Sequence, residues 1–421
     1  MPDEAGQRAQ LLALLDAGVA AVQAETCLPQ YLPQRKHDGR TILFALGKAA
    51  GQMARVALDR LDVDEALIIT RHGHLPRGWT APAFARVIEA GHPNPDAASL
   101  AAGEAAMALA SSLSQGDRMI ALISGGGSAL MSAPVQALTF AEKQAINRAL
   151  LASGAPIAAM NRVRAALSQV KGGRLAELAS PAQVLTYVMS DVAGDDPALV
   201  ASGPTCPLPD GDDPAQIVEQ YRIPMPPHVR AHLSQGNRSA PNFGPAVVVA
   251  SAGHALAAMA DAAIAQGFEP IVLGDDLECD AELLAKEHAR LALELRDQGR
   301  KAALISGGEA SVPVYASSGR GGRNLTYALA LAIALDGAEG ICALAADSDG
   351  IDGTSEAAGA IVFPTTLSRA AAGGIDPAQM LSTQTSATFF EKLADQIVTG
   401  PTGINVNDLR VILVDRVAVT P

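Results

Sequence analysis

Short runs of consecutive apolar residues recur along the first half of this chain, and longer stretches with apolar positions at helical spacing lie between them. The short runs predict buried strands and the longer stretches predict helices. The predicted strands are residues 42–46, 66–70, 86–89, 119–123 and 184–189. The predicted helices are residues 48–61, 97–113, 140–152 and 160–179. This alternation predicts a mostly parallel sheet covered on both faces, and hence a Rossmann-like first domain.

The second half of the chain repeats the alternation. Its predicted strands are residues 246–250, 270–273, 302–305, 341–345 and 411–414, with helices beginning at His254, Asp280 and Arg323. Residues 204–245 are rich in Pro, Gly, Asp and Asn, which predicts a domain boundary near their end. We therefore expect an α/β fold of two domains with mostly parallel sheets, residues 1–240 and 241–421. Apolar spacing in residues 9–24 predicts a leading helix, which packs on its own domain or on the other one.

Two glycine-rich turns follow apolar strands at equivalent places in the two halves. They are Ser124-Gly125-Gly126-Gly127-Ser128 and Ser306-Gly307-Gly308-Glu309. Glycines let the main chain turn tightly and bring bare N–H groups close to an anion. Similar helix starts at Asp96 and Asp280 extend the match. The recurrence predicts a structural repeat whose strand ends face one cleft between the domains, although each turn could also be an ordinary strand-to-helix connection.

The charge balance and the cysteines exclude several classes of function. A formal net charge of −13 argues against a nucleic-acid surface, which needs clustered Lys and Arg. The sequence has neither a run of about 18 apolar residues nor a basic segment followed by an apolar one at its N-terminus, so neither a membrane span nor a signal peptide is expected. The four cysteines are far apart and lack metal-ligand spacing, which predicts a cytoplasmic protein without zinc or disulfides.

Two charged residues follow predicted strands directly. Lys48 stands at the start of a helix, where its ammonium, free N–H groups and the helix dipole would together meet a phosphate. A solvated lysine is the alternative. Asp191 lies in the acidic segment 190–197, whose carboxylates suit Mg²⁺ because this ion prefers oxygen ligands. The alternative there is a turn formed by Asp196 before a proline.

The second half contributes acidic groups and an arginine. Residues 346–354 follow a strand and lack the final glutamate of a calcium-binding loop, so we expect their carboxylates at an active cleft rather than around calcium. A surface turn is the alternative interpretation. The glycine-rich segment 319–324 places Arg323 at a helix start, where a guanidinium can bind carboxylate or phosphate in a bidentate manner.

Two further motifs of the first half carry candidate binding groups. Residues 91–96 present His92 and Asn94 ahead of a helix that Asp96 can cap. The basic segments 161–164 and 171–174 would hold phosphate, or else form salt bridges with acidic surface groups.

Taken in order, these motifs resemble the glycerate 2-kinase family, whose members were often labelled hydroxypyruvate reductase. The motifs are GKAAG, GHPNPD, ISGGGSAL, NRVR, KGGRLA, SDVAGDDP with VASGPT, ISGGE, GRGGRN, SDGIDG and TGPTG with NVNDLR, and the resemblance spans about residues 8–415. It implies ATP- and Mg²⁺-dependent phosphorylation of D-glycerate, at the 2-hydroxyl, in a cleft between two α/β domains.

The resemblance matches Lys48 and Arg323 to residues that handle phosphate and substrate. We expect catalysis by Lys48, Asp191 and Arg323. Phosphate binding is expected at Ser124, Gly125, Gly126, Gly127, Ser128, Gly307 and Gly308. Glycerate binding is expected at His92, Asn94, Arg162 and Asn324. Mg²⁺ binding is expected at Asp191, Glu309 and Asp349.

The chain departs from the family pattern at a few places. Ala165 and Ala166 stand where the family commonly has Lys-His, so a kinase for a related hydroxy acid is one alternative. An NAD(P)H-dependent hydroxypyruvate reductase is another, but it needs a G-x-G-x-x-G unit, which the chain lacks. A non-catalytic sugar-acid or phosphate-binding protein is the third. We expect a monomer or homodimer acting on a small molecule, without nucleic acid or membrane partners.

Overall fold

The computed structural model describes residues 3–34, 36–234, 246–313 and 319–416. The chain divides into two units. Cys27–Val249 is here called the parallel-sheet unit, and Met1–Thr26 together with Ala250–Pro421 is called the mixed-sheet unit. The boundary expected at residue 240 falls outside the described residues.

A six-stranded sheet forms the centre of the parallel-sheet unit. Its strands are β1 Thr41–Leu46, β2 Glu65–Arg71, β3 Ala85–Ala90, β4 Arg118–Ser124, β5 Gln183–Met189 and β6 Ala246–Ala250. Their order is β3-β2-β1-β4-β5-β6, and the pairs from β3 to β5 are all parallel. Both β1 and β4 are buried at every position, because helices cover both faces of such a sheet.

The helices of this unit complete its two hydrophobic clusters. They are α3 Ala50–Leu58, α4 Ala97–Ser111, α5 Gly127–Leu130, α6 Phe140–Ala152, α7 Ile157–Ala166, α8 Arg174–Ala179, α9 Pro214–Gln220 and α10 Pro227–Leu233. The short helix α2, Ala24–Cys27, spans the boundary between the two units in the sequence. α4 and α8 pack with the sheet in one cluster. α6, α7, α9 and α10 form a second cluster around Leu150, Val163 and Ile217.

The register of the sheet aligns the carboxyl ends of β1, β4 and β5. Leu46 pairs with Ile123, and Ser124 pairs with Met189. The segments that follow these strands therefore leave the sheet at one edge. Ligands bind at this edge in parallel α/β folds.

The mixed-sheet unit contains a second six-stranded sheet, of order β11-β10-β9-β12-β8-β7. Its strands are β7 Glu269–Gly274, β8 Ala302–Ser306, β9 Ile341–Asp347, β10 Gly359–Val362, β11 Gln396–Ile397 and β12 Asp408–Val414. Its helices are α1 Glu4–Ala21, α11 Ala252–Ala265, α12 Ala281–Asp297, α13 Arg323–Leu335, α14 Thr366–Ala372, α15 Pro377–Ser382 and α16 Ser386–Leu393.

The α/β fold with two domains is confirmed, but the expectation of a mostly parallel sheet is wrong for this second unit. Among its described strand pairs, only β7 with β8 is parallel, whereas β12 runs antiparallel to β8 and β9, and β10 runs antiparallel to β9 and β11. The connections from β9 to β10 and from β11 to β12 contain no α-helix. A parallel return needs a crossover of about a dozen residues or more, usually through a helix, so these strands return antiparallel.

All the predicted strands are confirmed, with ends within three residues of the expected ones. The single helix expected over residues 160–179 is wrong, because α7 ends at Ala166 and α8 begins at Arg174. Gly172 and Gly173 adopt φ angles of 62° and 84° between them, which a right-handed helix cannot accommodate.

The structural repeat extends to the turns and helix starts, and not to the domains. Gly126 and Gly308 adopt φ angles of 81° and 90°, and Asp96 and Asp280 each cap a helix. However, β6, which was expected to open the second domain, is a strand of the first sheet, and the two sheets differ in order and direction. A duplicated α/β domain is therefore wrong.

The leading helix α1 packs on α11 within the mixed-sheet unit. Leu11, Leu14 and Gly18 of α1 are buried. A Cβ on Gly18 would lie 2.8 Å from Cγ of Met259, so the absence of a side chain allows the close helix contact. In the described parts of the chain no helix, α1 included, has the length and apolarity needed to cross a bilayer.

Candidate active site

The main chain of residues 47–49 lies directly against the glycine-rich turn after β4. Lys48 N donates to Gly125 O at 2.9 Å, and Ala49 N donates to Ser124 Oγ at 3.1 Å. Gly47 has a φ of 124°, and a Cβ there would lie 2.2 Å from Ser124 Oγ. Only glycine fits this contact, which holds Lys48 beside the turn.

The side chains of Lys48 and His92 both lie against Gly126, which has no side chain of its own. A Cβ built on Gly126 would lie 3.2 Å from the His92 ring and 3.2 Å from Cγ of Lys48. Lys48 and His92 follow different strands of the sheet, yet both lie against Gly126. The structure thus assembles three of the residues selected from the sequence.

The loop that carries His92 and Asn94 is fixed by the start of α4. Asp96 Oδ1 accepts from Ser99 N at 2.9 Å, and Ser99 Oγ accepts from Asp96 N at 3.1 Å. The expected capping by Asp96 is confirmed. His92 is half-buried and Asn94 is exposed.

A cavity of about 590 Å³ opens beside this turn, within the parallel-sheet unit. Its lining includes four predicted site residues, His92, Asn94, Gly126 and Ser128, and three cations, Arg148, Arg164 and Lys171. None of its lining residues is Asp, Glu, Phe, Tyr or Trp. The cavity is therefore suited to a small anion.

Two arginines of α7 have different surroundings. Arg162 donates to the main-chain oxygens of Pro209, Gly211 and Asp212 at 2.6 to 2.8 Å, so its guanidinium holds the loop before α9. Arg164 lines the cavity instead.

Lys171 is buried at the base of the cavity. Its Nζ donates to Ser128 O and to Ser202 Oγ, both at 3.2 Å. Ser202 Oγ also lies 2.6 Å from Ser128 Oγ. Burial lowers the pKa of Lys171 well below its ordinary value, and the charges of Lys143 and Arg164 lower it further.

Asp191 lies two residues beyond β5, at the same sheet edge as the glycine-rich turn, and is half-buried. The other residues of segment 190–197 form a turn. Asp196 Oδ1 accepts from Ala198 N at 2.9 Å, and Gly194 and Asp195 adopt left-handed conformations.

Arg323, the first residue of α13 in the mixed-sheet unit, contacts three carboxylates. Its Nε donates to Asp408 Oδ1 at 2.7 Å, Nη1 donates to Glu309 Oε1 at 2.7 Å, and Nη2 donates to Asp347 Oδ2 at 2.9 Å. Burial opposes the charge of Arg323, but Asp408, Asp347 and Glu309 raise its pKa above the ordinary value. The guanidinium therefore stays ionised and fixed in orientation.

Gly307 and Gly308 are packed more closely than the first glycine turn. Gly307 N donates to Gly274 O at 2.8 Å, and Gly308 O accepts from Asp408 N at 3.0 Å. A Cβ on Gly308 would lie 2.2 Å from the main-chain N of Leu277. Both glycines are buried, so this turn packs against other residues of the mixed-sheet unit. The turn at Gly126, by contrast, borders a cavity.

Asp352 and Asn324 stabilise the first turn of α13. Asp352 accepts from the main-chain N of Asn324 at 3.2 Å and of Leu325 at 2.8 Å. Burial raises the pKa of Asp352 to about 6. Asn324 Nδ2 donates to Asp408 Oδ1 at 2.6 Å, while the buried Oδ1 of Asn324 has no hydrogen-bond partner among the described residues.

The remaining metal candidates lie in a tight turn after β9. Asp349 is buried, its main-chain N donates to Asp347 Oδ1 at 3.0 Å, and its Oδ1 accepts from Ile351 N at 2.9 Å. In the described residues no three Asp, Glu, His or Cys side chains group as a metal site.

Sequence reasoning assigned no individual role to five residues of these sites. Asp408 and Arg410 belong to the NVNDLR motif, and their spacing was a further signal, because two charged residues at positions i and i+2 of an apolar strand share one buried face. Arg164 and Lys171 entered only as parts of basic segments. Lys143 gave no signal, since a lysine on an amphipathic helix is ordinarily solvated.

Comparisons with known proteins show relatives along most of the chain. Two family models match the chain, a domain of unknown function (DUF4147) over residues 10–234 and the MOFRL family over residues 302–408. D-glycerate 2-kinase of Thermotoga maritima is 36% identical, over 94% of this chain and 95% of that protein. A protein of Agrobacterium vitis with the provisional name hydroxypyruvate reductase is 43% identical, over 98% of this chain and 95% of its own length. A crystal structure of glycerate kinase from Thermotoga maritima superposes with a TM-score of 0.87 at 34% identity, over 97% of this chain and 99% of that one.

Proposed function

The chain belongs to the glycerate 2-kinase family, and we propose that it transfers the γ-phosphoryl group of ATP to the 2-hydroxyl of D-glycerate with Mg²⁺. The observation that carries the proposal is the meeting of Lys48 and His92 over Gly126 beside a cavity lined by cations and by no carboxylate. Phosphoryl transfer requires mainly positioning and charge neutralisation, which these groups supply.

In this proposal Lys48 neutralises the transferring phosphoryl group. The main chain of residues 124–128 cradles phosphate oxygens, and the contacts of Gly47 with Ser124 hold the lysine beside them. His92 and Asn94 contact the glycerate from the cavity wall.

We assign Asp191 to one of two roles, Mg²⁺ ligand or acceptor of the hydroxyl proton. Bound Mg²⁺ supplies charge neutralisation at phosphate oxygens. It is usually held by one or two carboxylates together with phosphates and waters, so a half-buried carboxylate at a strand end fits it without a cage of protein ligands. Glu309 and Asp349 are the candidate ligands in the mixed-sheet unit.

Arg323 would bind phosphate or substrate by releasing its most exposed partner. The Glu309 side chain is 51% exposed, whereas those of Asp347 and Asp408 are 7% and 0% exposed. Asp347 and Asp408 would keep the guanidinium oriented while Glu309 is exchanged. Arg323→Lys keeps the charge and loses the planar fork, so it should weaken glycerate binding more than ATP binding.

The rival reductase is supported by the name of the Agrobacterium relative. Against it, the glycine-rich turn is followed by a helix of only four residues, α5, where a dinucleotide site needs a longer helix after its glycines. Purified protein should form ADP with D-glycerate, ATP and Mg²⁺, and should not oxidise NADH with hydroxypyruvate. NADH oxidation without ADP formation would establish the reductase instead, and a panel of short hydroxy acids would identify a related kinase substrate.

We also propose a cytoplasmic location, because the four cysteines are far apart in the sequence and lack metal-ligand spacing, which suits a reducing compartment.

A further inference from the structure

The mechanism above assigns no role to Lys171 and Arg164, which line the cavity, or to the buried Lys143, whose charge interacts with theirs. Lys171 and Lys143 are 3% and 6% exposed, and Arg164 is half-buried. The three come from α6, α7 and the turn before α8, so the fold brings them together from separate segments. Their charges act on one another, since Arg164 lowers the pKa of both lysines.

No carboxylate balances this cluster. In the parts of the chain that the structure describes, none of the three cations forms an ion pair. Lys143 Nζ donates to Ser132 Oγ at 2.5 Å, and Arg164 Nη1 donates to Asn161 Oδ1 at 3.2 Å. Lys171 likewise donates only to neutral oxygens. Buried charges without a counter-ion are costly, so burial lowers the pKa of both lysines, and an anion that enters the cavity stabilises their charged forms.

The rest of the cavity restricts what that anion is. Neutral polar side chains, among them Gln144 and Asn147, share the wall with the cations. None of the lining residues offers an aromatic surface on which a purine could stack. The cavity also shares Gly126 and His92 with the surroundings of Lys48. A short molecule with an anionic end on the cluster would therefore direct its other end toward Lys48.

We propose that Lys171 and Arg164, supported by the charge of Lys143, form the binding site for the carboxylate of the hydroxy acid, and that this site selects acids over uncharged polyols. In an α-hydroxy acid the carbon that bears the hydroxyl is bonded to the carboxyl carbon, so a fixed carboxylate also fixes the 2-hydroxyl. This inference deepens the proposed function and rests on it. The phosphates of the nucleotide are the other source of a matching anion, and the experiment separates the two.

The test is calorimetric binding without turnover. The variants are Lys171→Met and Arg164→Gln, and Arg86→Gln is the control because Arg86 is exposed on strand β3 of the same unit. The probes are D-glycerate, glycerol and tripolyphosphate. Both variants should bind D-glycerate about ten- to a hundredfold more weakly, as expected when a charge-assisted hydrogen bond is lost. They should bind tripolyphosphate within about threefold of the wild type, the control should match the wild type, and glycerol should bind weakly to all of them.

Two outcomes would overturn the inference. If the variants lose tripolyphosphate affinity and retain D-glycerate affinity, the cluster binds nucleotide phosphates. If they retain both, the cluster has only a structural role. Circular dichroism and melting check the fold, and if Lys171→Met fails to fold, the half-buried Arg164→Gln carries the test.

The proposed function can fail separately from the carboxylate site. If the wild-type protein binds D-glycerate through these residues but forms no ADP, the carboxylate site is supported and the kinase function is contradicted. If the variants form ADP with an unchanged KM for D-glycerate, the kinase function is supported and the carboxylate site is contradicted.

Discussion

Asp408 accepts a hydrogen bond from Nε of Arg323 at 2.7 Å, and the Asp408 side chain is fully buried. Its other oxygen accepts from the buried Arg410. Asp408→Asn should therefore leave the buried Arg410 without its counter-charge and Arg323 with two carboxylates instead of three, and lower the free energy of unfolding by about 3–5 kcal/mol. Glu309→Gln removes a half-exposed partner of the same arginine and should cost about 1 kcal/mol or less. Urea unfolding measures both, and equal losses would contradict this account.

Gly126→Ala should reduce turnover through a local clash. The new Cβ would meet the His92 ring and Lys48 at 3.2 Å, and a misplaced catalytic group can cost about a hundredfold in rate. Gly154→Ala is a matched control, because Gly154 has a φ of 72° with nothing within 4 Å of its built Cβ. Both variants should lose about 1–2 kcal/mol of stability from left-handed strain. Only Gly126→Ala should lose activity, and a comparable loss of turnover in Gly154→Ala would remove the specific role of the turn.

Lys48→Ala should lower kcat by about a thousandfold, because an interaction made chiefly with the transferring phosphoryl group is lost. Lys36→Ala removes an exposed lysine of the same unit and should leave kcat unchanged. Steady-state ADP formation gives both values. Near-normal turnover of a folded Lys48→Ala protein would exclude Lys48 from the mechanism.

Asp191→Asn should weaken the dependence on Mg²⁺ or abolish activity, because an amide keeps the shape of the carboxylate but binds Mg²⁺ poorly and accepts no proton. Asp195→Asn is its control. Asp195 lies in the same loop with a φ of 53°, a conformation that asparagine tolerates well. Activity is measured across a Mg²⁺ titration, and overlapping curves for wild type and Asp191→Asn would count against both roles.

The affinity for D-glycerate should fall as the pH rises above about 8. Burial, assisted by Arg164, lowers the pKa of Lys143 to about 8 from 10.5, so the charge with which Lys143 supports the carboxylate site is lost above that pH. Lys171 and Arg164 are the charged groups that act on the same site. A KM profile from pH 6 to 10 should rise in the wild type and be flatter in Lys143→Met.

The contribution of Lys143 to the free energy of unfolding should increase over this pH range, whereas the affinity for D-glycerate falls. The unfolded chain retains the Lys143 proton up to about pH 10.5, whereas the folded protein releases it near pH 8. The unfolded state thus binds more protons in this window, and the contribution of Lys143 to stability increases with pH. A loss of affinity accompanied by unfolding would therefore refute the assignment.

The sequence predicted those features that depend on neighbouring residues. Apolar runs located the strands, and the glycines at 125–127 located the turn where Lys48 and His92 meet. The sequence could not predict that Arg164 rather than Arg162 lines the cavity. This choice depends on the rotation of α7 and on the loop about 50 residues away that Arg162 contacts, and neither follows from neighbouring residues. Likewise, the antiparallel position of β12 is set by pairings with β8 and β9 that are distant in sequence.

Helix α1 and helix α11 pack together although roughly 230 residues separate them. During synthesis at about 5–20 residues per second, α1 leaves the ribosome on the order of 10 to 50 seconds before its partner exists. The buried face of α1, with Leu11 and Leu14, must stay exposed or be shielded for that time. A fragment that begins at Ala250 would in turn lack the helix that covers α11. Circular permutation that places residues 4–26 after the C-terminus would make this unit continuous and shorten the delay.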